Sequence, residues 1–470
     1  MNGIKNNKGW AYVLSLSMVV GFNACKTPES LSDIPLVEYE WSPTIGEFTS
    51  DEPLKVDTQL HYADFYTDPF LIELIETGLN NNLDLRILQK RVKQAEESYL
   101  LSTKAWLPGV NLGLNGNVSA FPLDKDLNDW GRTEMSDFSI STGQWEIDIW
   151  GKLKYLKDAK KALFLQMELT EKQLKNTLIS QIAQSYYQLI TYNESLKVTE
   201  KTVENWEQTV ETMRALKISG RVTEAAVTQS IAQLNAVQAT VSDLKTVKFA
   251  TEQRINLLLG RANQPIETKE IEEDSNLPII EIGIPSDLLV LRPDLRIAYE
   301  KVKEAFFEKE AAKTYFLPSL TLSGKLGFQA SDFKDIINPL SLLGNIAGGL
   351  FQPIFQKGVN KARLNIAKEE ELATLLELES TYIQACMEVE ELLHAYRQAS
   401  TKTSYIKNQI EQSQLSVEYT EELLESGFAI YTEVISAKQQ LLQAELNGIN
   451  NYINKQSILI QLYNASGGGI

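Results

Sequence analysis

The sequence predicts an α+β membrane protein in which one unit of helix, strand, strand and long helical hairpin occurs twice. Three observations predict it: a gap-free internal repeat, two long tracts almost free of proline and glycine, and short segments that alternate oily and polar residues. The repeat is plain when Leu83–Leu112, "LDLRILQKRVKQAEESYLLSTKAWLPGVNL", is set on Pro293–Leu322, "PDLRIAYEKVKEAFFEKEAAKTYFLPSLTL", at a fixed offset of 210. Further on, "SGRVTEAAVTQSIAQL" from Ser219 matches "SGFAIYTEVISAKQQL" from Ser426 at an offset of 207, with Gly220 falling on Gly427. Units of this size lie far above the roughly 20 to 50 residue period of solenoids, so the chain is one large fold duplicated.

Taken in order, the chain opens with Lys5 and Lys8, an apolar run from Trp10 to Phe22, and Ala24 directly before Cys25. This is the grammar of a signal peptide over 1–24, and the run is too short to span a bilayer comfortably. A cysteine at that place resembles a bacterial lipoprotein signal, which implies a covalent lipid on Cys25 and no other cofactor; the alternative is an ordinary exported protein. Residues 25–68 are then expected as a lipid-anchored extended segment.

Repeat 1 is expected over 69–262, with a β-hairpin within 107–150 and a helical hairpin turning near Gly220. A linker over 263–286 leads to repeat 2 over 287–463, with its β-hairpin within 318–356 and its turn near Gly427, and 464–470 is expected to be a flexible end. The long helices follow from punctuation: no proline lies between Pro122 and Pro265 or after Pro353, and Gly220 is the sole glycine between Gly151 and Gly260. The intervening residues are good helix formers, which predicts helices over 152–218, 222–258, 359–425 and 431–463. Val227, Leu234, Val237, Val241, Leu244 and Val247 recur at a coiled-coil-like spacing, so the rods should pack side by side.

The strands follow from period-two alternation. Val110, Leu112 and Leu114 alternate with Asn111, Gly113 and Asn115; Leu320, Leu322, Leu326 and Phe328 alternate with Thr321, Ser323, Lys325 and Gln329. Alternation over 137–150, and weaker alternation over 345–355, supplies the second strand of each hairpin. Leu112, Leu114, Leu320 and Leu322 are the expected lipid-facing residues.

Composition narrows the function. The formal charge of −17, or −19 once 1–24 with its two lysines is removed, opposes a nucleic-acid partner. No later apolar stretch has the length of a membrane helix, so any crossing is made of strands. Only Cys386 remains beside Cys25, which leaves no disulfide framework, and His61 and His394 are too far apart in sequence to suggest a metal site. No nucleophile-elbow, zincin, Walker or dinucleotide motif occurs in context, so the sequence does not read as an enzyme.

"QWEIDIWGKLK" (Gln144–Lys154), "LRPDLRIA" (Leu291–Ala298), "LFQPIFQKG" (Leu350–Gly358) and the two turn segments, in this order on a duplicated frame, resemble the TolC family of outer-membrane efflux channels, and most closely the lipoproteins of RND-type efflux systems. The resemblance implies a homotrimer with a 12-stranded β-barrel in outer-membrane lipid, continued by a long periplasmic α-helical barrel. It also implies a periplasmic adaptor protein docking at the tips around Gly220 and Gly427, an inner-membrane RND-type transporter supplying the energy, and an acidic entrance at Glu433. The family's further entrance residues are replaced by Ser436, Ala429 and Leu424, so a tyrosine–arginine–acid lock is not expected. Two alternatives stay open: a duct for type I protein secretion, and a periplasmic coiled-coil scaffold without a pore.

Overall fold

A computed structural model describes residues 61–123, 130–270, 292–331, 335–336 and 338–468. Cys25 and the expected signal peptide lie outside the described residues, as does most of the expected linker.

A short helix, α1 (Tyr62–Phe65), precedes repeat 1, which runs α2 (Pro69–Asn81), α3 (Leu83–Thr103), β1 (Val110–Pro122), β2 (Trp130–Ile147), α4 (Lys152–Ile218) and α5 (Glu224–Leu258). Repeat 2 follows as α6 (Pro293–Thr314), β3 (Ser319–Ala330), β4 (Leu342–Phe351), α7 (Val359–Ser426) and α8 (Tyr431–Ala465). The long helices α4 and α7 have 67 and 68 residues, and at 1.5 Å per residue each is about 100 Å long. Both begin at a left-handed glycine, Gly151 (φ 76°) and Gly358 (φ 84°). Both reverse at another, Gly220 (φ 75°) and Gly427 (φ 80°), a conformation costly to residues with a Cβ.

The four strands form one antiparallel sheet in the order β1-β2-β3-β4, so β1 and β4 each keep one unpaired edge. Two strands differ from the sequence expectation at both ends, β2 also stopping at Ile147 rather than Trp150. β2 starts at Trp130 rather than Asp137, because backbone pairing with β1 continues to Pro122↔Trp130 where alternation has ceased. β4 spans Leu342–Phe351 rather than 345–355. A bulge between Thr142 and Trp145 sets Gly143 and Gln144 against Ser323, and thereby brings Phe138 and Ile140 onto the same face as Trp145 and Ile147. Gly327 is required by close approach, since a Cβ there would fall on the Phe138 carbonyl and the Ser139 backbone.

Helix α4 is the spine, touching α3, α5, α6 and α8, while α7 packs on α6 and α8. The main core gathers midway along it: Leu178, Ile182, Tyr186 and Leu189 of α4 meet Leu71 and Ile75 of α2, Ile255 of α5, and Leu459 and Tyr463 of α8. The segment before 69 is not extended throughout. Its α1 is docked into this core, with Phe65 stacked on Tyr463 at 4.4 Å between ring centroids. Asp68 caps α2 by accepting from the Phe70 N–H (2.9 Å) and also accepts from the Tyr186 hydroxyl at 2.5 Å. Burial, then this bond to Asp68, pushes the Tyr186 phenol well above its ordinary pKa, which keeps it a donor.

The repeat motif has a structural reason. In repeat 1, Asn82 caps α3 through the Leu85 N–H (2.9 Å) and reaches across to the Leu258 carbonyl at the end of α5 (2.9 Å). In repeat 2 the equivalent residue is Arg292, which donates to the Ala465 carbonyl at the end of α8 (3.0 Å) and to Asp294 and Glu388 (each 2.8 Å). Burial opposes the Arg292 charge, but its bonds with Asp294 and Glu388 outweigh this and raise its pKa. Of the end expected to be flexible, residues 464–468 lie within the described residues and are docked: helix continues to Ala465, and Asn176 donates to the Gly467 carbonyl at 2.7 Å.

Candidate functional site

Three stretches of this chain present surfaces on which a site could be built: the two faces of the sheet, the junctions where strands become helices, and the turns at the far ends of the rods.

Residues paired across antiparallel strands share a face, so the register assigns both faces of the sheet. Leu112 pairs with Ile140, which pairs with Leu326; Leu114 pairs with Phe138, which pairs with Phe328. Leu320 and Leu322 pair with Ile147 and Trp145 across the bulge, and the register places all four leucines named above on this one apolar face. Leu112 and Leu114 are 68% and 59% exposed in the protomer, whereas Leu320 and Leu322 in the sheet interior are half-buried. The opposite face carries Asn111, Asn115, Ser139, Thr321 and Ser323, with one ion pair that alternation alone did not reveal. Asp137 takes Lys325 Nζ at 2.9 Å and the Ser139 hydroxyl at 2.9 Å.

The junctions are tied by one bond in both repeats, made by different residue types. Trp145 Nε1 donates to the Trp106 carbonyl (2.8 Å) at the end of β2, and the equivalent Gln352 Nε2 donates to the Phe316 carbonyl (2.9 Å) at the end of β4. Trp150 Nε1 adds a bond between the repeats, to the Pro318 carbonyl at 2.7 Å.

At the far end the two turns lie together. Each closes as a Schellman motif: Arg221 N–H reaches the Leu216 carbonyl (2.9 Å), and Phe428 N–H reaches that of Leu423 (2.8 Å). Met213, Ala226 and Val227 of repeat 1 pack with Leu424 and Tyr431 of repeat 2, and Arg221 Nη2 donates to the Glu425 carbonyl at 3.2 Å. Glu433 lies in the first turn of α8 rather than two turns along a helix from Gly427, because residues 428–430 are not helical. It is exposed, and its carboxylate accepts from the Ile430 N–H at 3.2 Å, half of a capping box; Ile430 has no side-chain acceptor to supply the other half.

Of the coiled-coil stripe, Val227 and Val237 are buried while Val247 is exposed, so the stripe closes the tip and loosens toward the sheet. His394 is exposed on α7 and His61 caps α1 through the Ala63 N–H. Among the described residues no three or more His, Cys, Asp and Glu side chains gather as a metal site. No described helix is long and apolar enough to cross a membrane.

The family model for outer membrane efflux proteins matches residues 74–261 and again 284–468, one match to each repeat. The pyoverdine export outer membrane protein OpmQ of Pseudomonas putida is 26% identical over 410 residues, covering 86% of this chain and 87% of the relative. The probable outer membrane lipoprotein SilC of Salmonella typhimurium is 24% identical over 413 residues, covering 87% and 88%. Among solved structures, the Campylobacter jejuni CmeC outer membrane channel superposes with a TM-score of 0.83 at 22% identity, covering 95% of each chain. With both repeats matched in sequence and the architecture matched in space, the chain belongs to the outer membrane efflux protein family.

Proposed function

We propose that this protein is the outer-membrane exit duct of a tripartite efflux system, conducting small molecules passively from an inner-membrane transporter and a periplasmic adaptor to the exterior. One observation carries the reading: a four-stranded sheet with one apolar face, one polar face and two unpaired edges stands on rods about 100 Å long. An open edge in lipid leaves backbone groups unsatisfied, and four strands fall short of the roughly eight a membrane barrel needs. Three copies supply twelve strands, close both edges and turn the polar faces inward. The same closure opposes a scaffold without a pore. The test is reconstitution in planar bilayers with mass measurement in detergent: a trimer conducting through one wide pore is expected, and a monomer without conductance would sink the reading.

Lipidation of Cys25 belongs to this proposal, supported by the order of Lys5, Lys8, the apolar run and Ala24. Mass spectrometry of the mature N-terminus should find an acylated cysteine; an unmodified terminus starting elsewhere would refute it.

The entrance role of Glu433 can be separated from its capping role. Glutamine at the third helical position retains an acceptor for the Ile430 N–H, so Glu433→Gln removes charge and keeps the cap. The expected result is normal trimer yield with weaker divalent-cation block in planar bilayers. Block equal to wild type would make Glu433 a capping residue alone.

A further inference from the structure

Each of the four strand–helix junctions repeats one order of residues. Moving away from the sheet, an exposed aromatic ring comes three or four positions beyond the strand end: Trp106 before Val110, Trp150 after Ile147, Phe316 before Ser319 and Phe355 after Phe351. A lysine follows two to four positions farther out: Lys104, Lys154, Lys313 and Lys357. Trp106 is 62% and Phe355 83% exposed. Among the described residues no carboxylate lies within salt-bridge distance of Lys104, Lys154, Lys357 or the nearby Lys361, whereas Lys313 is held by Glu310 at 2.6 Å. In a chain of formal charge −17, the junction segments 104–109, 148–161, 313–318 and 352–363 hold ten lysines and arginines against two aspartates.

This order is that of a bilayer read outward, with apolar strand in hydrocarbon, aromatic ring at the carbonyl layer and ammonium at the phosphate. We propose that the junctions form a cationic collar that binds the headgroups of anionic phospholipid in the leaflet on the helical side of the membrane. The collar rests on the reading of the sheet as membrane-spanning. Phospholipid fits better than a protein partner because the rings and lysines recur at every junction rather than on one side. A continuous annulus matches that distribution, whereas a docked protein would need a single patch. Three copies would present twelve ring-and-lysine pairs around the barrel.

The test is tryptophan quenching of the full-length protein in vesicles of phosphatidylcholine with either brominated phosphatidylglycerol or brominated phosphatidylcholine. In a background with Trp41 and Trp130 replaced by phenylalanine, the latter being 55% exposed at the far end of β2, Trp106, Trp145 and Trp150 report the junctions, while Trp206, 1% exposed in the helical core near the tips, is shielded. A lysine near an anionic surface contributes about 1 kcal/mol, or about a five-fold preference. Brominated phosphatidylglycerol should therefore compete about five-fold better than phosphatidylcholine for the wild type, and equally for the combined Lys104→Gln, Lys154→Gln, Lys357→Gln variant. Equal competition in the wild type, or a preference that survives in the variant, overturns the collar. If brominated phosphatidylcholine fails to quench at all, the sheet is not in lipid and the membrane-spanning reading fails first, taking the collar with it.

Discussion

Leu114→Arg is expected to deplete the heat-modifiable trimer in the outer membrane to a small fraction of its normal level, while Asn115→Arg, one residue along the same strand, leaves trimer yield near normal. Leu114 lies near the middle of β1, on the apolar face with Phe138 and Phe328, and is 59% exposed with no protein above it. An arginine on the lipid face costs about 2 to 4 kcal/mol near the bilayer midplane, and a trimer carries the substitution three times. Asn115 points to the other face, where its amide already contacts Asp137 at 3.4 Å. An arginine there meets a carboxylate and water, so its effect should appear in conductance and ion preference instead. Gel analysis of extracted membranes before and after heating separates the outcomes. Equal trimer loss from both substitutions would contradict the assignment of the faces.

The helices were legible because glycine writes their ends in the sequence. Gly151, Gly220, Gly358 and Gly427 all take positive φ, and the rods run between them almost to the expected residue. Strand limits were less legible, because pairing outlasts alternation. The backbone of β2 stays bonded to β1 from Ser136 back to Trp130, where side chains no longer alternate cleanly. The bulge did leave a trace, since apolar positions change parity between Ile140 and Trp145, but only the register against β3 gives that change a meaning. The mid-rod core left none. Phe65 meets Tyr463 across almost the whole length of the chain, and no local pattern announces such a contact. Likewise the sequence points to Glu433 only as an entrance acid; its capping bond depends on Ile430 lying outside the helix.

The second large effect is expected at Arg292, where the motif "LRPDLRIA" is explained by what its arginine holds rather than by any chemistry at a reaction centre. Its guanidinium, 10% exposed, joins the start of α6, the middle of α7 and the end of α8 through Asp294, Glu388 and the Ala465 carbonyl. Removing one partner of a buried pair costs about 3 to 5 kcal/mol, but Glu388 is 46% exposed and water can replace part of that contact. Arg292→Ala should therefore destabilise the end of α8 by about 2 to 3 kcal/mol, leaving a carbonyl unpaired and two carboxylates without their cation. Arg292→Lys should recover little of it, since a single ammonium cannot span three acceptors set in fork geometry. Asn82→Ala, at the equivalent place in repeat 1, removes only neutral bonds and should cost about 1 to 2 kcal/mol. Hydrogen–deuterium exchange on the trimer resolves these by region. Arg292→Ala should speed exchange over Leu459–Ala465 by about one to two orders of magnitude and Asn82→Ala should act on Ile255–Leu258 instead. If Arg292→Lys protects α8 as well as arginine does, the site needs only a positive charge, and the three-way fork is not what fixes the end of the chain.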